Sequence, residues 1–482
     1  MEDKSKVIFG NPIDHETIEK GLRSQKKFLK KFGDDRQKEY HLSAVEVPSL
    51  KSLGVQNLVL AEQPFVFPKN AVVIGNIRMG FGHYRISMAM ASCAKALGYV
   101  PYWFDLASFD ATGSKMIRAQ NDLYSTGSKI SQKSRLFNKT VWEPMNSEGF
   151  RKITYNSVDQ KNSELLVPLF HDFPKDIPYI ATHVWPSQGA IHAGLTHVVN
   201  AIPDNWPMGL HLSEGAIHTV QTPFAYLGYK MLHGMAKEPL KGMDESDLYE
   251  VGHYVDDELV RNIDGDTALR LARIEKGEPL RFLLTVGGAG AGESQFLAMM
   301  KHLMPYVKAK KAALFLNFGD HLDVDQYLCK NLPDFNKTPI RFFNEYDKLN
   351  AFVGTMDSSK IEGVYLVYNQ GIFEAVYSTN LLMRKCDVLI TKPSELAYYP
   401  IPKIFMRHIG GHEVYGAIHG QEEGDSTFEC PTTETMNAMI DRFMSDRQLV
   451  EHLVKQIKVL KGEGRYNGGY EVVKLAVNGR PQ

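Results

Sequence analysis

The chain has 482 residues, too many for a single hydrophobic core, so two or three domains are expected. With 43% hydrophobic and 23% charged residues it has the composition of a folded globular protein. Its 55 Lys and Arg against 56 Asp and Glu leave a net charge of −1, which excludes the global basic field of a nucleic-acid-binding protein and gives no sign of a strongly acidic partner.

The N-terminus, "MEDKSKVIFGNPIDHE", has no apolar signal core, and no stretch reaches the length needed to span a bilayer, so a cytoplasmic location is expected. Cys93, Cys329, Cys386 and Cys430 lie far apart with no CxxC pair, which predicts reduced thiols and neither a zinc site nor a disulfide framework. Residues 1–69 read as a helical extension, because "HETIEKGLRSQKKFLKKFGDD" carries Leu22, Phe28, Leu29 and Phe32 at helical spacing among basic residues. Such a helix either touches a membrane surface or packs on its own domain. The narrow apolar face and the Asp34–Asp35 pair favour packing, so any membrane association is expected to be peripheral at most.

From Ala71 the pattern becomes short apolar runs followed by helices, beginning with "AVVIGNIRMGFGHYRISMAMASCAKALGYVPYWFDL" over residues 71–106. Glycines at 75, 80 and 82 let the backbone approach a ligand, and a helix starting near Ile86 would offer its free N–H groups to an anion. "PYIATHV", "LTHVVNAI" and "IHTVQT" continue the series. The helix-prone stretch "DDELVRNIDGDTALRLARIEKGEPL" then leads to a second series opening with "RFLLTVGGAGAGESQFLAMMKHLM", whose turn carries Gly287, Gly288, Gly290 and Gly292. Two glycine-turned halves predict an α/β protein of two Rossmann-like domains, residues 70–265 and 266–482, facing a cleft with ligands at the carboxyl ends of the strands.

Neither turn is a P-loop, since "GGAGAGES" lacks the Gly-Lys-Ser/Thr ending. The first turn is a poor dinucleotide fingerprint, with Asp105 the only acidic residue at a usable later position. His183, His192, His197, His211 and His218 crowd one region with Asp204 and Glu214, but their spacing matches no metal-ligand template and no metal is expected. Asp204, Trp206 and Glu214 are candidates for the acceptor side, while Tyr398, Tyr399 and Phe405 read as core or loop aromatics.

"GFGHYRISMAMASCAKALGY" resembles the glycine-glycine-histidine turn and first helix of the family 28 glycosyltransferases of GT-B fold, a group that includes the peptidoglycan N-acetylglucosaminyltransferase and diacylglycerol glycosyltransferases. "THVVNAIPDNW", "HTVQTPFAYLGYKML" and "YEVGHYVDDELV" are similar to the end of that family's first domain, and "FLLTVGGAGAG" to the loop against the nucleotide diphosphate. "CDVLITKPSELAYYPIPKIFM" is similar to the strand and glutamate-bearing segment that grips the ribose, but it lacks about five residues of the usual Gly-Gly-x-Thr loop. The family's Gln-Glu pair corresponds either to His412–Glu413 or to Gln421–Glu422. The resemblance implies a GT-B architecture whose terminal helix returns to the first domain.

It also implies transfer of a sugar from a nucleotide-sugar donor, UDP-linked, to an acceptor hydroxyl on a lipid or glycan, with no resident cofactor. His83 is the expected base. Gly80, Gly82, Arg85, Gly287, Gly288, Gly290, Gly292 and Ser394 are the expected donor-binding positions, with His412 and Glu413 beside them. Glu395 is expected on the ribose hydroxyls, because a carboxylate accepts two hydrogen bonds. Two alternatives stand beside this reading: a nucleotide-sugar 2-epimerase-like enzyme, which needs several acidic residues near the sugar, and a non-catalytic descendant that binds a nucleotide or glycan.

Overall fold

A computed structural model describes residues 3–133, 140, 145–286, 293–332, 335, 339–408 and 410–480. The expected diphosphate turn, with Gly287, Gly288, Gly290 and Gly292, lies outside the described residues. A short ribbon, β1 (Val7–Ile8) and β2 (Asn11–Pro12), precedes two separate sheets.

The first sheet contains β3 (His41–Glu46), β4 (Gln56–Ala61), β5 (Ala71–Asn76), β6 (Val100–Asp105), β7 (Tyr179–Ala181), β8 (Val198–Ala201), β9 (Ile217–Val220) and β10 (Leu248–Glu250). Their spatial order is β10-β9-β8-β7-β5-β6-β4-β3, parallel except for the edge strand β3, which runs antiparallel to β4. The second sheet is wholly parallel: β11 (Leu280–Thr285), β12 (Ala312–Asn317), β13 (Ile340–Phe343), β14 (Gly363–Tyr368), β15 (Val388–Thr391) and β16 (Lys403–Phe405), in the order β13-β14-β12-β11-β15-β16. The molecule is therefore α/β, with two Rossmann-like domains facing a cleft.

The central strands are apolar throughout because helices cover both faces of a parallel sheet. All six residues of β5 are buried, as are all six of β11 and β12. Gly75, within β5, serves this packing rather than a ligand, since a Cβ there would collide with the Tyr179 ring of β7.

Residues 1–69 are not a purely helical extension. The helix His15–Phe32 packs on the helix Ile153–Ser163, with Gln25 Nε2 donating to Lys161 O at 2.6 Å, but β3 and β4 complete the first sheet. The strand pattern was hidden because the pair at the sheet's edge is only partly buried, with a single fully buried residue in each of "HLSAVE" and "QNLVLA".

The helix Gly82–Ala96 begins a turn before Ile86, so His83 and Arg85 belong to its first turn. Residues 84–94 are all buried, because this helix lies between its own sheet, the helix Ile372–Met383 of the second domain and the last helix, Gly468–Asn478. Cys93, Cys386 and Cys430 are buried. Among the described residues, no helix is long and apolar enough to cross a membrane.

The second sheet is anchored by Asp387, fully buried just before β15, which accepts from Arg273 Nε at 3.0 Å, Arg273 Nη2 at 2.7 Å and the Arg281 amide at 2.9 Å. Asp387→Ala would strand the buried Arg273 guanidinium, so it is expected to lower unfolding free energy by about 3–5 kcal/mol. A urea titration that shifts the midpoint at constant slope is the check.

Candidate active site between the two sheets

In an open parallel sheet, ligands bind beyond the carboxyl ends of the strands where the strand order reverses. In the first sheet that point lies between β5 and β7, and in the second between β11 and β15. The turn after β5 carries Gly80, Gly82 and His83, and β7 leads into Thr182 and His183. Past β15 comes the segment Lys392–Tyr398. Gly80 has φ +85°, a left-handed conformation that suits glycine.

His83 is half-buried, and its Nδ1 lies 2.6 Å from the carbonyl oxygen of Thr182. A carbonyl only accepts, so Nδ1 carries the proton and, in the neutral ring, Nε2 holds the lone pair. Burial pushes the His83 pKa down, against the pull of the Glu395 carboxylate and the Thr182 carbonyl. The His83 ring stands edge-on to His183 at 4.8 Å between centroids. His183 caps the helix Val184–His192, its Nδ1 accepting from the Trp185 amide at 3.2 Å, and burial also holds this ring well below its ordinary pKa.

Asp204, in the loop after β8, lies 3.1 Å from His211 Nε2, and His211 Nδ1 lies 2.7 Å from the Tyr229 hydroxyl. The Asp204 carboxylate only accepts, so His211 Nε2 carries the proton and, in the neutral ring, Nδ1 accepts from the Tyr229 hydroxyl, which itself accepts from the Met208 amide at 3.2 Å. Burial alone would raise the Asp204 pKa, but the hydrogen bond from His211, with the imidazoles of His412 and His83 nearby, outweighs it and holds the carboxyl below the usual range.

A narrow cleft, open to solvent, is lined from the first domain by Asp204 and Asn205 and from the second by Ser394, Glu395, His412 and Glu413. The expected residues Ser394, Glu395, His412 and Glu413 are thus brought together. Of the two candidate pairs, His412–Glu413 lines the cleft, while Gln421–Glu422 sits at the far end of the helix Val414–Glu423. Lys392 Nζ pairs with Glu413 Oε1 at 2.5 Å. The Glu395 carboxylate packs on Gly82, where a Cβ would collide with it, and so lies at the first residue of the helix Gly82–Ala96, where the macrodipole favours negative charge.

Arg85 is placed elsewhere. Only 4% exposed, it donates from Nη1 to Asn380 Oδ1 at 2.9 Å across the domain interface, and its guanidinium lies 5.8 Å from the centre of the Tyr399 ring. Burial of the helix on all sides took Arg85 away from the cleft. Glu214 is likewise diverted, accepting from the Phe9 amide at 2.6 Å. Trp206 instead joins the domain closure: Tyr415 of the second domain stacks on Trp206 at 4.4 Å and on Phe224 at 4.9 Å, and Asn205 Nδ2 donates to Tyr415 O at 3.0 Å. Tyr398, expected as a core or loop aromatic, also lines the cleft; Asn205, Lys392 and the tautomer-setting Thr182 were not singled out from the sequence, and only the position of each beyond a strand's carboxyl end could have flagged them.

Residues 7–231 match a family described as "Domain of unknown function (DUF6937)" and residues 243–477 one described as "Domain of unknown function (DUF6938)". No curated protein matches the chain. Among solved structures, it is similar to a UDP-GlcNAc 2-epimerase from Neisseria meningitidis bound to UDP-GlcNAc, at TM-score 0.44 and 11% identity over 85% of this chain and 99% of that one. A glycosyltransferase from Rickettsia africae aligns at TM-score 0.41 and 11% identity, covering 85% and 99%. An α,α-trehalose 6-phosphate synthase from Burkholderia multivorans aligns at 0.43 and 10%, covering 85% and 98%.

Behind Arg85, the fully buried Asp256 accepts from the Tyr399 hydroxyl at 3.2 Å. Burial raises its carboxyl to about 7, with Glu258 adding to the rise and Arg85 opposing it. The folded state therefore holds this proton at pH values where the unfolded carboxyl, at about 3.9, has lost it. The stabilisation is complete below the unfolded pKa and is lost as pH rises through the folded one. The stability of the wild-type protein relative to an Asp256→Asn variant should thus fall between pH 5 and pH 8 in paired denaturation curves, and a difference constant with pH would contradict the assignment.

Proposed function

We propose that the cleft transfers the sugar of a UDP-linked donor to an acceptor hydroxyl, with His83 as the base. The observation that carries this reading is the fixed tautomer of His83: Thr182 O holds the Nδ1 proton at 2.6 Å, burial keeps the ring neutral, and Nε2 is left as a proton acceptor on a ring that feels the carboxylates of Glu395 and Asp204, both of which line the cleft. In the reaction the acceptor O–H gives its proton to Nε2 as its oxygen bonds to the anomeric carbon. The bond from that carbon to the diphosphate oxygen breaks, and UDP departs with the electron pair.

The helix Val414–Glu423 reaches the cleft through Gly416, and the N–H groups of its first turn suit the charge of the departing diphosphate. Glu395 is assigned to the ribose hydroxyls and Ser394 and His412 to the donor's polar groups. Asp204, held as a carboxylate by His211, is suited to orient the acceptor or sugar hydroxyls.

A second reading, a 2-epimerase-like reaction, is favoured by one observation: Asp204, Glu395 and Glu413 line the same cleft, which supplies the acidic residues such chemistry needs. Incubation with UDP-sugars, followed by NMR, separates the two. Transfer releases UDP in step with glycosylation of an added acceptor, whereas epimerisation inverts the sugar at C2 with none present.

His83→Ala is expected to lower turnover by about 10²–10⁴-fold while nucleotide affinity and melting temperature stay close to wild type. Undiminished turnover would remove the base assignment. Glu395→Ala should weaken nucleotide binding by about 1–3 kcal/mol, measured by calorimetry. A thermal-shift comparison of UDP, GDP, dTDP and CMP should show UDP as the strongest stabiliser. No shift with any of them would favour the non-catalytic alternative.

A further inference from the structure

Away from the cleft, His253, His419 and Glu423 converge where the link between the domains meets the helix Val414–Glu423. We propose that these three side chains bind a divalent transition-metal ion of the zinc class and thereby fasten the interdomain link to the second domain.

The geometry comes from two rigid pieces of backbone. His253 follows β10 and precedes the helix Asp257–Glu275, and its amide donates to Arg465 O at 2.6 Å. Gly252, with φ +83°, packs against the same carbonyl so closely that a Cβ would collide with it. His419 and Glu423 lie four residues apart on one helix and so share a face.

His253 Nε2 lies 3.0 Å from His419 Nε2 and 3.4 Å from Glu423 Oε2, and His419 Nε2 lies 3.4 Å from Glu423 Oε1. Glu423 thus turns one carboxylate oxygen to each ring, and one ligand atom from each residue lies within 4.8 Å of the other two, close to the spacing of about 3.3 Å that zinc–ligand bonds of about 2.0–2.1 Å at tetrahedral angles require. Two histidines and a glutamate are a known zinc donor set that leaves the fourth position open.

The surroundings agree. The side chains of His253, Glu423 and His419 are 1%, 8% and 13% exposed. His253 Nδ1 and Glu423 Oε1 are buried without a hydrogen-bond partner. A simple hydrogen bond between the two imidazoles accounts for their 3.0 Å separation but leaves Glu423 Oε1 without a hydrogen bond, and a metal ion would engage it. The neighbouring cations do not bar a metal: Lys403 is paired with Asp425 at 2.5 Å, and Arg465 faces Glu250 and Glu463 as well as Glu423. These contacts set four carboxylates against two cations, an excess of negative charge that suits a divalent ion.

A second trio, His41, His171 and Asp172, provides an internal control. Asp172 there already accepts from the Leu42 amide at 2.8 Å and meets His41 Nδ1 at 2.9 Å, and the rings are 27% and 41% exposed.

The test is titration of the full-length, chelator-treated protein with Zn²⁺ in competition with a chromophoric chelator. In parallel, the visible absorption of Co²⁺ loaded in place of zinc reports tetrahedral coordination. One tight equivalent is expected, together with a rise in melting temperature on metal addition. His419→Ala should lower affinity by at least about 100-fold, since loss of even an outer partner of a metal ligand costs about 10–100-fold. The volume-conserving Glu423→Gln should weaken it as well, and His171→Ala should leave it unchanged. Absence of a tight equivalent in the wild-type protein, or wild-type affinity in both His419→Ala and Glu423→Gln, would overturn the proposal.

Discussion

The structure depends most on the burial of the helix Gly82–Ala96. Its residues 84–94 are shielded from water on every side, by β5 and β6, by the last helix and by the second-domain helix Ile372–Met383. An apolar core that continues from one domain into the next leaves little freedom for the turn that starts this helix. Phe81 packs against Gly319, Gly82 against Glu395 and Arg85 against Asn380, so the two sheets present their switch points to each other in a fixed setting. Opening the cleft means separating apolar surfaces as well as polar pairs, and this couples ligand access to domain movement.

Within that setting the electrostatics follow from main-chain contacts. Backbone groups hold Nδ1 of both His83 and His183, and the Tyr229 hydroxyl together with Asp204 sets the tautomer of His211. Burial keeps His83 and His183 from charging. Nearby, Asp204 keeps its charge because His211 donates a hydrogen bond to it. Neutral bases next to an ionised carboxylate give a site able to move a proton without a large change in net charge.

The closure also uses residues of no catalytic character. Tyr415 between Trp206 and Phe224 joins the domains by aromatic stacking, and its carbonyl accepts from Asn205 at the edge of the cleft. The segment that supplies Tyr415 also supplies His412 and Glu413, so the packing that shuts the interface sets those polar groups in place.

The sequence by itself determined the alternation of apolar runs and helices, the two glycine-turned halves and therefore the α/β architecture, because buried parallel strands must be apolar along their whole length. Local chemistry also marked His83, by the glycines beside it, whereas Ser394, Glu395, His412 and Glu413 stood out only through resemblance to a known family. Tertiary structure decided what those residues face. Arg85 and Glu214 were indistinguishable from ligand-binding groups until packing showed one bonded to Asn380 and the other to the Phe9 amide. The edge strands β3 and β4 were invisible because a half-exposed pair needs no strong apolar pattern. The meeting of Glu395 with Gly82, and of His253 with His419 and Glu423, joins residues more than 160 positions apart, and only the docking of one sheet against the other could bring them together.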